Sequence, residues 1–419
     1  MSATADMRDL ARQLFTVAVN AADPGCTVRR HFKSCPPAAP SAGGRYIVLA
    51  IGKAAPAMLR ETLEHLRGPV TAFGVTHHEN NQRVTGATIV TAGHPVPDKY
   101  GFDAAQQIIR LLDSADKNDR IIALISGGGS ALIPAPIAPV TLADKRAVSQ
   151  LLLDSGLDIV AMNMVRQQLS ALKGGGLSRR AAPAPVTALI LSDVIGDDLR
   201  AVASGPTVAP LGSRRDVEEL LRTSEIYAAL PATVQTLLQS TDHHKDFLAT
   251  GNYLIGSNRQ SLEAMLKAAP NQWHAAIASD RLIGDVTAAA ASIITSASTL
   301  RTNNPTALIF GGETTVKVNG TGRGGRNQEL ALRIAMATRE LPDGWVFLSG
   351  GTDGRDGPTD AAGGIVDKCS TARMRAAGVD PAALLYNNDS YAALAASGDL
   401  LITGATGTNV ADVQVLLLP

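Results

Sequence analysis

Several residue types on which particular classes of protein depend are scarce in this sequence of 419 residues. Aromatic residues make up only 4% of it, too few for the stacking surfaces that bind single-stranded nucleic acid or sugars. The 38 basic residues are balanced by 38 acidic ones, so the chain lacks the basic surplus of proteins that coat nucleic acid or anionic membranes. We therefore expect neither nucleic acid nor a membrane as a partner, although a local basic pocket is compatible with this balance.

Cysteine and long apolar runs are scarce as well. The three cysteines, Cys26, Cys35 and Cys369, are an odd number without a C-x-x-C pair, which argues against a disulfide scaffold and against structural zinc. No run approaches the ~18 apolar residues of a membrane-spanning helix. The N-terminus has the pattern of an amphipathic helix capped by Ser2 or Thr4, not of a signal peptide. We expect a cytoplasmic protein in a reducing compartment.

Short apolar runs that end abruptly in Gly, Ser, Thr or Asp are the main feature that is present. Six occur, at 46–53, 121–130, 186–198, 306–314, 345–354 and 400–409. Apolar runs without alternation are typical of strands in a parallel sheet that helices cover on both faces. Helical patterns, such as those at 103–115 and 157–176, lie between them. The alternation predicts an α/β fold with doubly wound sheets.

The length suits two domains, which we place at residues 1–248 and 249–419, because residues 208–250 form a charged helical stretch that ends in a polar cluster. In doubly wound sheets, ligands bind beyond the carboxyl ends of the strands. The polar and glycine-rich residues lie at those ends in all six runs, which predicts a shared ligand site. The alternative is that each glycine merely turns the chain.

Two candidate anion-binding features follow the first two runs. Lys53 ends the first strand and precedes a helix predicted to begin near Pro56, so its ammonium group is a candidate contact for phosphate or carboxylate. The second run ends in a glycine loop whose backbone amides can converge on an oxyanion. This loop consists of Ser126, Gly127, Gly128, Gly129 and Ser130. A purely structural glycine turn is the alternative.

Basic residues also cluster in the segment 163–177. Arg166, Ser170 and Lys173 are spaced by four and three residues, which predicts that they share one face of a helix that stops at Gly174. Basic residues near a helix C-terminus are favoured by the helix dipole in any case. Asn163 and Arg166 are nevertheless candidates for substrate binding because their neighbours are hydrophobic.

Carboxylates recur in the glycine-rich loops. Asp193 lies two residues beyond the third apolar run, and Asp353 lies in the acidic loop 349–364. Mg²⁺ takes one or two protein carboxylates together with phosphate oxygens, so these positions suit metal–phosphate chemistry. An acidic network held by Arg355 is the alternative.

Residues 320–325 read Gly-Thr-Gly-Arg-Gly-Gly, which formally matches the dinucleotide-binding fingerprint. The preceding segment alternates and is short, unlike the buried first strand of a Rossmann unit. No acidic residue ends a second strand about 20 residues further on; Asp353 lies 28 residues after Gly325. The dinucleotide interpretation therefore stays open as the weaker one.

Arginines flank the last two glycines of this loop. Arg323 and Arg326 stand on either side of Gly324 and Gly325, just before a helix predicted to begin near Asn327. Guanidinium groups in a glycine loop suit a transferring phosphoryl group or a carboxylate. The sequence contains neither a Walker A motif nor the protein-kinase glycine loop with its H-R-D partner.

Eleven motifs together resemble the glycerate 2-kinase family, whose members carry a C-terminal MOFRL domain. They run in order from about residue 45 to 412: GKAA, GHPVPD, SGGGSAL, NMVRQQLSALKGGGL, LSDVIGDDL, SGPT, GGETTV, GRGGRNQE, SGGTDGRDGPTDAAG, NNDSY and TGATGTNVAD. The resemblance implies a Rossmann-like N-terminal domain, a smaller α/β C-terminal domain and an active site in the cleft between them. It implies transfer of the γ-phosphoryl group of ATP to the 2-hydroxyl of D-glycerate, with Mg²⁺, to give 2-phosphoglycerate.

The resemblance implies a catalytic pair, and the chemistry of phosphoryl transfer suggests roles for the other candidate residues. Lys53 of GKAA and Arg326 of GRGGRNQE are the expected catalytic pair. Asp193, Glu313 and Asp353 are expected to hold Mg²⁺, and Asp193 also to orient the attacking hydroxyl. The expected phosphate contacts are the glycine loop 126–130, Lys173, Gly324 and Gly325, and the expected substrate contacts are Arg166 and Asn163.

Two other functions stay open. Members of the family are often named hydroxypyruvate reductase after their place in tartrate and glyoxylate pathways, so an NAD(P)H-dependent reductase that produces D-glycerate is the alternative enzyme. A non-catalytic ligand sensor on the same fold is less consistent with the Lys, Arg and Asp residues at the strand ends. We expect only small-molecule partners, and either a monomer or a homodimer.

Overall fold

The structure is a computed structural model that describes residues 3–240, 250–300, 304–337 and 340–419. The described residues form two compact units. The N-terminal unit contains residues 24–192 and 197–255, and the C-terminal unit contains residues 3–23, 193–196 and 256–419. The domain boundary predicted after residue 248 lies outside the described residues and stays a prediction. None of the described helices has the length and apolarity that crossing a membrane requires.

Strands and helices alternate along most of the chain. The strands are β1 (Tyr46–Ile51), β2 (Val70–His77), β3 (Thr88–Ala92), β4 (Arg120–Ile125), β5 (Val186–Leu191), β6 (Gly251–Gly256), β7 (His274–Asp285), β8 (Thr306–Thr315), β9 (Val346–Gly351), β10 (Gly363–Asp367), β11 (Leu400–Leu401) and β12 (Asp412–Leu418). The helices are α1 (Ala3–Ala21), α2 (Pro24–Ser34), α3 (Ala55–His65), α4 (Lys99–Asp113), α5 (Gly129–Leu132), α6 (Leu142–Asp154), α7 (Ile159–Gln168), α8 (Gly176–Ala181), α9 (Arg214–Thr223), α10 (Ala232–Gln239), α11 (Asn258–Ala268), α12 (Val286–Ser298), α13 (Arg326–Met336), α14 (Ser370–Ala376), α15 (Pro381–Tyr386) and α16 (Ser390–Ser397).

The sheet of the N-terminal unit confirms the predicted doubly wound fold. Its strand order is β3-β2-β1-β4-β5-β6. The pairs β3–β2, β2–β1, β1–β4 and β4–β5 are all parallel. Every residue of β1 is buried, as its unbroken apolar run predicted. Because the order reverses between β1 and β4, the residues that follow these two strands line the position where such sheets bind ligands.

The sheet of the C-terminal unit is mixed, so the expectation of parallel strands is wrong here. Its order is β11-β10-β9-β12-β8-β7. The strand β12 runs antiparallel to both β8 and β9, and β10 runs antiparallel to β9 and β11, whereas β7 runs parallel to β8. The run at 400–409 is also not a full strand, since β11 contains only Leu400 and Leu401.

Burial on both faces explains why the apolar runs of these strands led to the prediction of a parallel sheet. Phe310 and Leu416 pack in one core with residues of α12 and α13. Ile309 and Val415, which alternate with them along the same strands, pack in a second core with residues of α1 and α11. A strand covered on both sides reads as an unbroken apolar run whatever its direction.

Helix α1 belongs to the C-terminal unit, which its position at the start of the chain did not predict. It begins at Ala3, so Thr4 lies inside the helix rather than at its cap, and Ser2 lies outside the described residues. Leu14 and Phe15 pack in the core beside β9 and β12.

A buried network of charges also holds α1 to this unit. Arg8 contacts Asp367 at 2.5 Å and Asp399 at 2.9 Å, and Arg373 contacts the same two carboxylates at 2.9 and 2.7 Å. The two carboxylates are 3% and 1% exposed. Removing one partner of a buried charge network destabilises a protein, because the remaining charge stays desolvated.

We therefore expect Arg8→Met to lower the free energy of unfolding of the C-terminal unit by about 2 kcal/mol. The matched control is Arg12→Met on the same helix, because Arg12 pairs with Asp9 at the surface and such pairs contribute less than about 1 kcal/mol. Tryptophan fluorescence during denaturation measures this unit alone, since both tryptophans, Trp273 and Trp345, lie in it. Equal unfolding midpoints for the two variants would contradict the prediction.

Candidate functional site

The residues after β1 and β4 are joined by short contacts at the strand-order reversal. The Lys53 amide donates to the Gly127 carbonyl at 2.9 Å, and the Ala54 amide donates to Ser126 Oγ at 3.1 Å. Gly52 has a φ of +129°, and a Cβ there would lie 2.1 Å from Ser126 Oγ. Only glycine allows this approach, so the loop 126–130 and Lys53 have a fixed relative position.

The middle of the glycine loop lies beside the Lys53 side chain. Gly128 has a φ of +83°, and a Cβ there would lie 3.3 Å from Lys53 Cγ and 3.1 Å from the ring of His94. Within the described parts of the chain, the amides of Gly127 and Gly128 donate to no protein group. Unpaired amides in a glycine loop can bind an oxyanion, as the sequence predicted for this loop.

Two histidines that were not among the predicted site residues lie at this end of the sheet. His77 is the last residue of β2, and His94 follows β3. Burial lowers the pKa of both imidazoles, and the charge of Lys53 lowers both further. Both shifts favour the neutral form of the imidazole, and both rings lie close enough to Lys53 to feel its charge. Their positions at strand ends were the available signal, but they form no sequence motif with each other.

A chain of hydroxyl groups connects the glycine loop to Lys173. Lys173 Nζ donates to Ser130 Oγ at 2.6 Å, and Ser130 Oγ lies 3.0 Å from Ser204 Oγ. Ser204 Oγ in turn donates to Asn163 Oδ1 at 3.4 Å. Lys173 is only 4% exposed. The structure thus brings together four residues from three motifs, of which Ser204 in the SGPT turn was not a predicted site residue.

The helix predicted to carry Arg166, Ser170 and Lys173 ends earlier than expected. Helix α7 stops at Gln168, and the next residues leave it to make tertiary contacts. Ser170 forms a β-bridge with Pro136, and the amide of residue 171 donates to the carbonyl of residue 135 at 2.8 Å. These bonds replace the intrahelical ones, so the three side chains do not share a helix face. Arg166 and Lys173 are nevertheless close enough for the charge of Arg166 to lower the pKa of Lys173.

In the C-terminal unit, Arg326 is the first residue of α13 and is held by two carboxylates. Its Nε and Nη2 contact the two oxygens of Asp412 at 2.6 and 2.9 Å, and Nη2 lies 3.2 Å from Glu313 Oε1. Asp412 is fully buried, whereas the Arg326 side chain is 30% exposed. Burial would lower the pKa of Arg326, but Asp412 and Glu313 hold it above its ordinary value. Arg326 is therefore a permanently charged and oriented guanidinium group.

Strand pairing explains why these groups meet. Asp412 opens β12 and lies between Gly312 of β8 and Gly351 of β9 in the sheet register. Since β8 and β9 are both antiparallel to β12, their carboxyl ends lie at the same edge as its first residue. Asp412 was not among the predicted site residues, because its partner Arg326 is 86 residues away in the sequence.

The amides of residues 319–323 are bound by the NNDSY motif and are therefore not free to bind a dinucleotide. That of Gly322 donates to the Asn387 carbonyl at 2.9 Å, and side chains accept from the other four. Asn388 Oδ1 accepts from the amides of Asn319 and Gly320, Asn387 Oδ1 from that of Thr321, and Asp389 Oδ1 from that of Arg323. The Arg323 guanidinium stacks on Tyr391 at 4.9 Å and donates to the Pro358 carbonyl. This geometry disfavours the dinucleotide interpretation.

Gly324 and Gly325, the predicted phosphate contacts, allow close packing. A Cβ on Gly324 would lie 2.1 Å from Ser390 Oγ, and one on Gly325 would lie 2.2 Å from Cγ of Asp356. The Asp356 carboxylate accepts from the amides of Asn327 at 3.2 Å and Gln328 at 2.9 Å. Burial raises the pKa of Asp356 to about 6, although these hydrogen bonds oppose the shift. Asp356 thus caps α13 and orients its first turn, while phosphate binding by the two glycines stays a prediction.

The predicted metal ligands each offer hard oxygen atoms. Glu313 pairs with Arg326, Asp353 follows β9 and accepts from the amide of Arg355 at 3.0 Å, and Asp193 lies in the segment 193–196. Across the described ranges, no three or more His, Cys, Asp or Glu side chains are placed to hold a metal ion together. Mg²⁺ bound to a nucleotide needs only one or two protein carboxylates, so these residues fit Mg²⁺ delivered with phosphate.

Protein-family models match both parts of the chain. One, described as a domain of unknown function (DUF4147), matches residues 10–239, and the other, the MOFRL family, matches residues 306–412. The chain is therefore of the class of two-domain α/β proteins in which a Rossmann-like sheet precedes a MOFRL domain.

Similar proteins define the family. D-glycerate 2-kinase of Thermotoga maritima is 40% identical over 384 residues, which cover 89% of this chain and 91% of that protein. A protein of Agrobacterium vitis with the provisional name hydroxypyruvate reductase is 41% identical, over 90% of this chain and 100% of its own. The crystal structure of glycerate kinase from Thermotoga maritima has a TM-score of 0.90 and 37% identity, over 99% of this chain and 100% of that one. The chain belongs to the glycerate 2-kinase family, as its motifs predicted.

Proposed function

We propose that this protein transfers the γ-phosphoryl group of Mg²⁺–ATP to the 2-hydroxyl of D-glycerate and releases 2-phosphoglycerate and ADP. The names of the family members support this reaction. The observation that carries the proposal is the strand-order reversal of the N-terminal unit, where Lys53 lies beside a glycine loop with unpaired amides. This combination suits the phosphate groups of a nucleotide.

Phosphoryl transfer requires of a protein mainly positioning and positive charge around the oxygens of the transferring group. Lys53 supplies a compact point charge, and Arg326 supplies a guanidinium fork whose direction Asp412 sets. The hydroxyl oxygen bonds to phosphorus and loses its proton to solvent, while the bond between phosphorus and the bridging oxygen of ADP breaks. Arg166 and Asn163 are the proposed contacts of the glycerate, and Asp193 orients its hydroxyl.

Mg²⁺ bound with the nucleotide would neutralise charge on its phosphates. Asp193, Glu313 and Asp353 are the residues that would hold it. Of these, Glu313 also contacts Arg326, so it helps to fix the guanidinium group whether or not it binds the ion. The phosphate contacts that we propose in the N-terminal unit are the loop 126–130 and Lys173.

The reductase alternative has less support in the structure. The formal fingerprint at 320–325 follows β8 of the mixed sheet, and the NNDSY motif binds the amides of its first four residues. The turn after β1, where a Rossmann fold binds pyrophosphate, carries Gly52 and Lys53 instead.

The test is an incubation of the purified protein with D-glycerate, ATP and Mg²⁺, followed by ³¹P NMR of the product. We expect 2-phosphoglycerate, and none when EDTA replaces Mg²⁺ or when L-glycerate replaces the D-enantiomer. Formation of 3-phosphoglycerate would contradict the proposed acceptor hydroxyl. If no phosphoglycerate forms and the protein oxidises NADH or NADPH when hydroxypyruvate is supplied, the proposed kinase activity is wrong and the reductase activity takes its place.

A further inference from the structure

Three cations of the N-terminal unit act on one another without an acidic partner. Lys145 lies on α6, Arg166 on α7 and Lys173 in the turn that follows α7. The charges of Lys145 and Arg166 both lower the pKa of Lys173, and that of Arg166 lowers the pKa of Lys145. None of the ion pairs among the described residues includes any of the three. We refer to Lys145, Arg166 and Lys173 as the cation triad.

Lys145 occupies an unusual position for a lysine. It lies on the same face of α6 as Val148 and Leu152, three and seven residues further on, and these two residues pack in a hydrophobic core. Lysines of a surface helix normally extend away from such a face. The Nζ atom of Lys145 is buried and has no hydrogen-bond partner.

The neighbouring carboxylate does not compensate this charge. Asp144 accepts from the backbone amide and the hydroxyl of Thr141, both at 2.8 Å, in the capping box that begins α6. The Asp144 carboxylate therefore caps the start of the helix and forms no hydrogen bond with Lys145. The hydrogen-bond partner of Lys173 Nζ is likewise not an acid but the hydroxyl of Ser130.

Buried charges without a partner are expensive, and a protein normally pairs or neutralises them. Burial lowers the pKa of Lys145 to about 8 and that of Lys173 well below its usual range. An anion bound among the three groups would restore their charged forms and satisfy the unpaired Nζ atom. The hydroxyl chain from Lys173 to Ser130 places the triad next to the glycine loop.

We propose that Lys145 is a binding residue that, with Arg166 and Lys173, holds an oxyanion group of a substrate. This inference rests on the proposed function, in which both substrates carry such a group: the phosphates of ATP and the carboxylate of glycerate. Lys145 binds the group directly through its Nζ atom, and the glycine loop binds from the neighbouring side through Ser130.

The experiment is a kinetic comparison of the wild type with Lys145→Met, which keeps the length of the side chain and removes its charge. We expect the KM for one substrate to rise about 10- to 100-fold, as for the loss of a hydrogen bond to a charged group, and kcat to change less than about threefold. A rise for ATP identifies the group as phosphate, and a rise for glycerate identifies it as carboxylate; either result supports the proposal.

The matched control is Arg146→Met, which removes the adjacent positive charge of the same helix. Arg146 is exposed and donates to the Pro97 carbonyl, so we expect both KM values to stay at those of the wild type. If Lys145→Met and Arg146→Met have the same KM values for both substrates, the proposal is wrong. If Lys145→Met does not fold, Lys145→Gln, which also lacks the positive charge, replaces it in the same comparison.

A binding measurement separates this proposal from the reaction itself. Calorimetric titration of the wild type, Lys145→Met and Arg146→Met with inorganic phosphate requires no turnover. Weaker binding by Lys145→Met alone supports the anion site even in a protein that does not phosphorylate glycerate. Equal phosphate binding by the three proteins, together with unchanged KM values for any turnover, overturns it.

Discussion

Replacing Arg326 by lysine is expected to lower kcat by about 10³-fold, because the transferring phosphoryl group loses a bidentate, rigidly oriented guanidinium. In the wild type, Nε and Nη2 of the Arg326 guanidinium contact the two oxygens of Asp412 at 2.6 and 2.9 Å, and these two bonds fix its orientation. An ammonium group can pair with that carboxylate but cannot also present a second, fixed donor. Steady-state kinetics with D-glycerate and Mg²⁺–ATP measure the loss.

The lysine variant is preferable to alanine for a structural reason. Asp412 is fully buried, and alanine at position 326 would leave its charge without a partner, a change that destabilises proteins by about 3–5 kcal/mol. We expect Arg326→Ala to lose activity as well, but only Arg326→Lys separates catalysis from folding. The fluorescence of Trp345, which is fully buried in the same unit, verifies that the variant is folded.

The matched control is Arg323→Ala in the same glycine loop. Arg323 is exposed, and its guanidinium stacks on Tyr391 and donates to the Pro358 carbonyl. We expect its kcat to stay within about threefold of the wild type. If Arg326→Lys turns over at a near-normal rate, or if both variants lose activity equally, Arg326 is not the catalytic arginine.

Replacing Lys53 by methionine is expected to lower kcat about 10²- to 10³-fold, comparable to the loss of one preorganised donor to a developing charge. The backbone of Lys53 makes the contacts that hold the turn, since its amide donates to Gly127 and its carbonyl accepts from Thr76 and Asn80. The side chain makes none of these bonds, so the variant should fold as the wild type does.

A second measurement tests whether Lys53 points where the structure places it. Its charge lowers the pKa of His77 and of His94. Removing this charge should raise the pKa of both imidazoles, because protonation no longer places two cations side by side. Titration of the histidine ring protons by NMR measures the change, and unchanged values would show that the ammonium group lies elsewhere.

Lys117→Met is the matched control for Lys53→Met. Lys117 is exposed and lies in the turn before β4, at the edge of the sheet opposite to Lys53. We expect neither kcat nor the histidine pKa values to change in this variant. Near-normal turnover in Lys53→Met would remove Lys53 from the proposed catalytic pair.

Local patterns in the sequence were sufficient to predict the strands at the centre of the N-terminal unit. The apolar run at 46–53 became β1, the glycine at position 52 marked a backbone conformation with φ of +129°, and Lys53 followed at the carboxyl end. Apolar runs and glycines report burial and backbone conformation, which are properties of a few consecutive residues. For the same reason the motifs were sufficient to identify the family.

Other predictions required information that adjacent residues do not carry. The helix expected to extend to Gly174 ended at Gln168, because Ser170 bonds to Pro136, 34 residues earlier. The strands of the second sheet were assigned the wrong direction, since burial on both faces produces the same apolar run in either orientation. Strand direction depends on which segment lies alongside, and here that is β12 at the end of the chain.

Neighbouring residues alone were enough to predict the glycine-ended strands, the position of Lys53 and Arg326 in their motifs, and the family. Three features became visible only in the folded chain: Asp412 orients Arg326, α1 packs against the C-terminal sheet, and Lys145 lies near Arg166 and Lys173. Each of these depends on a partner far away in the chain. A residue type and its neighbours set the local conformation, but which charges meet, and whether an acid balances them, depends on how the elements pack.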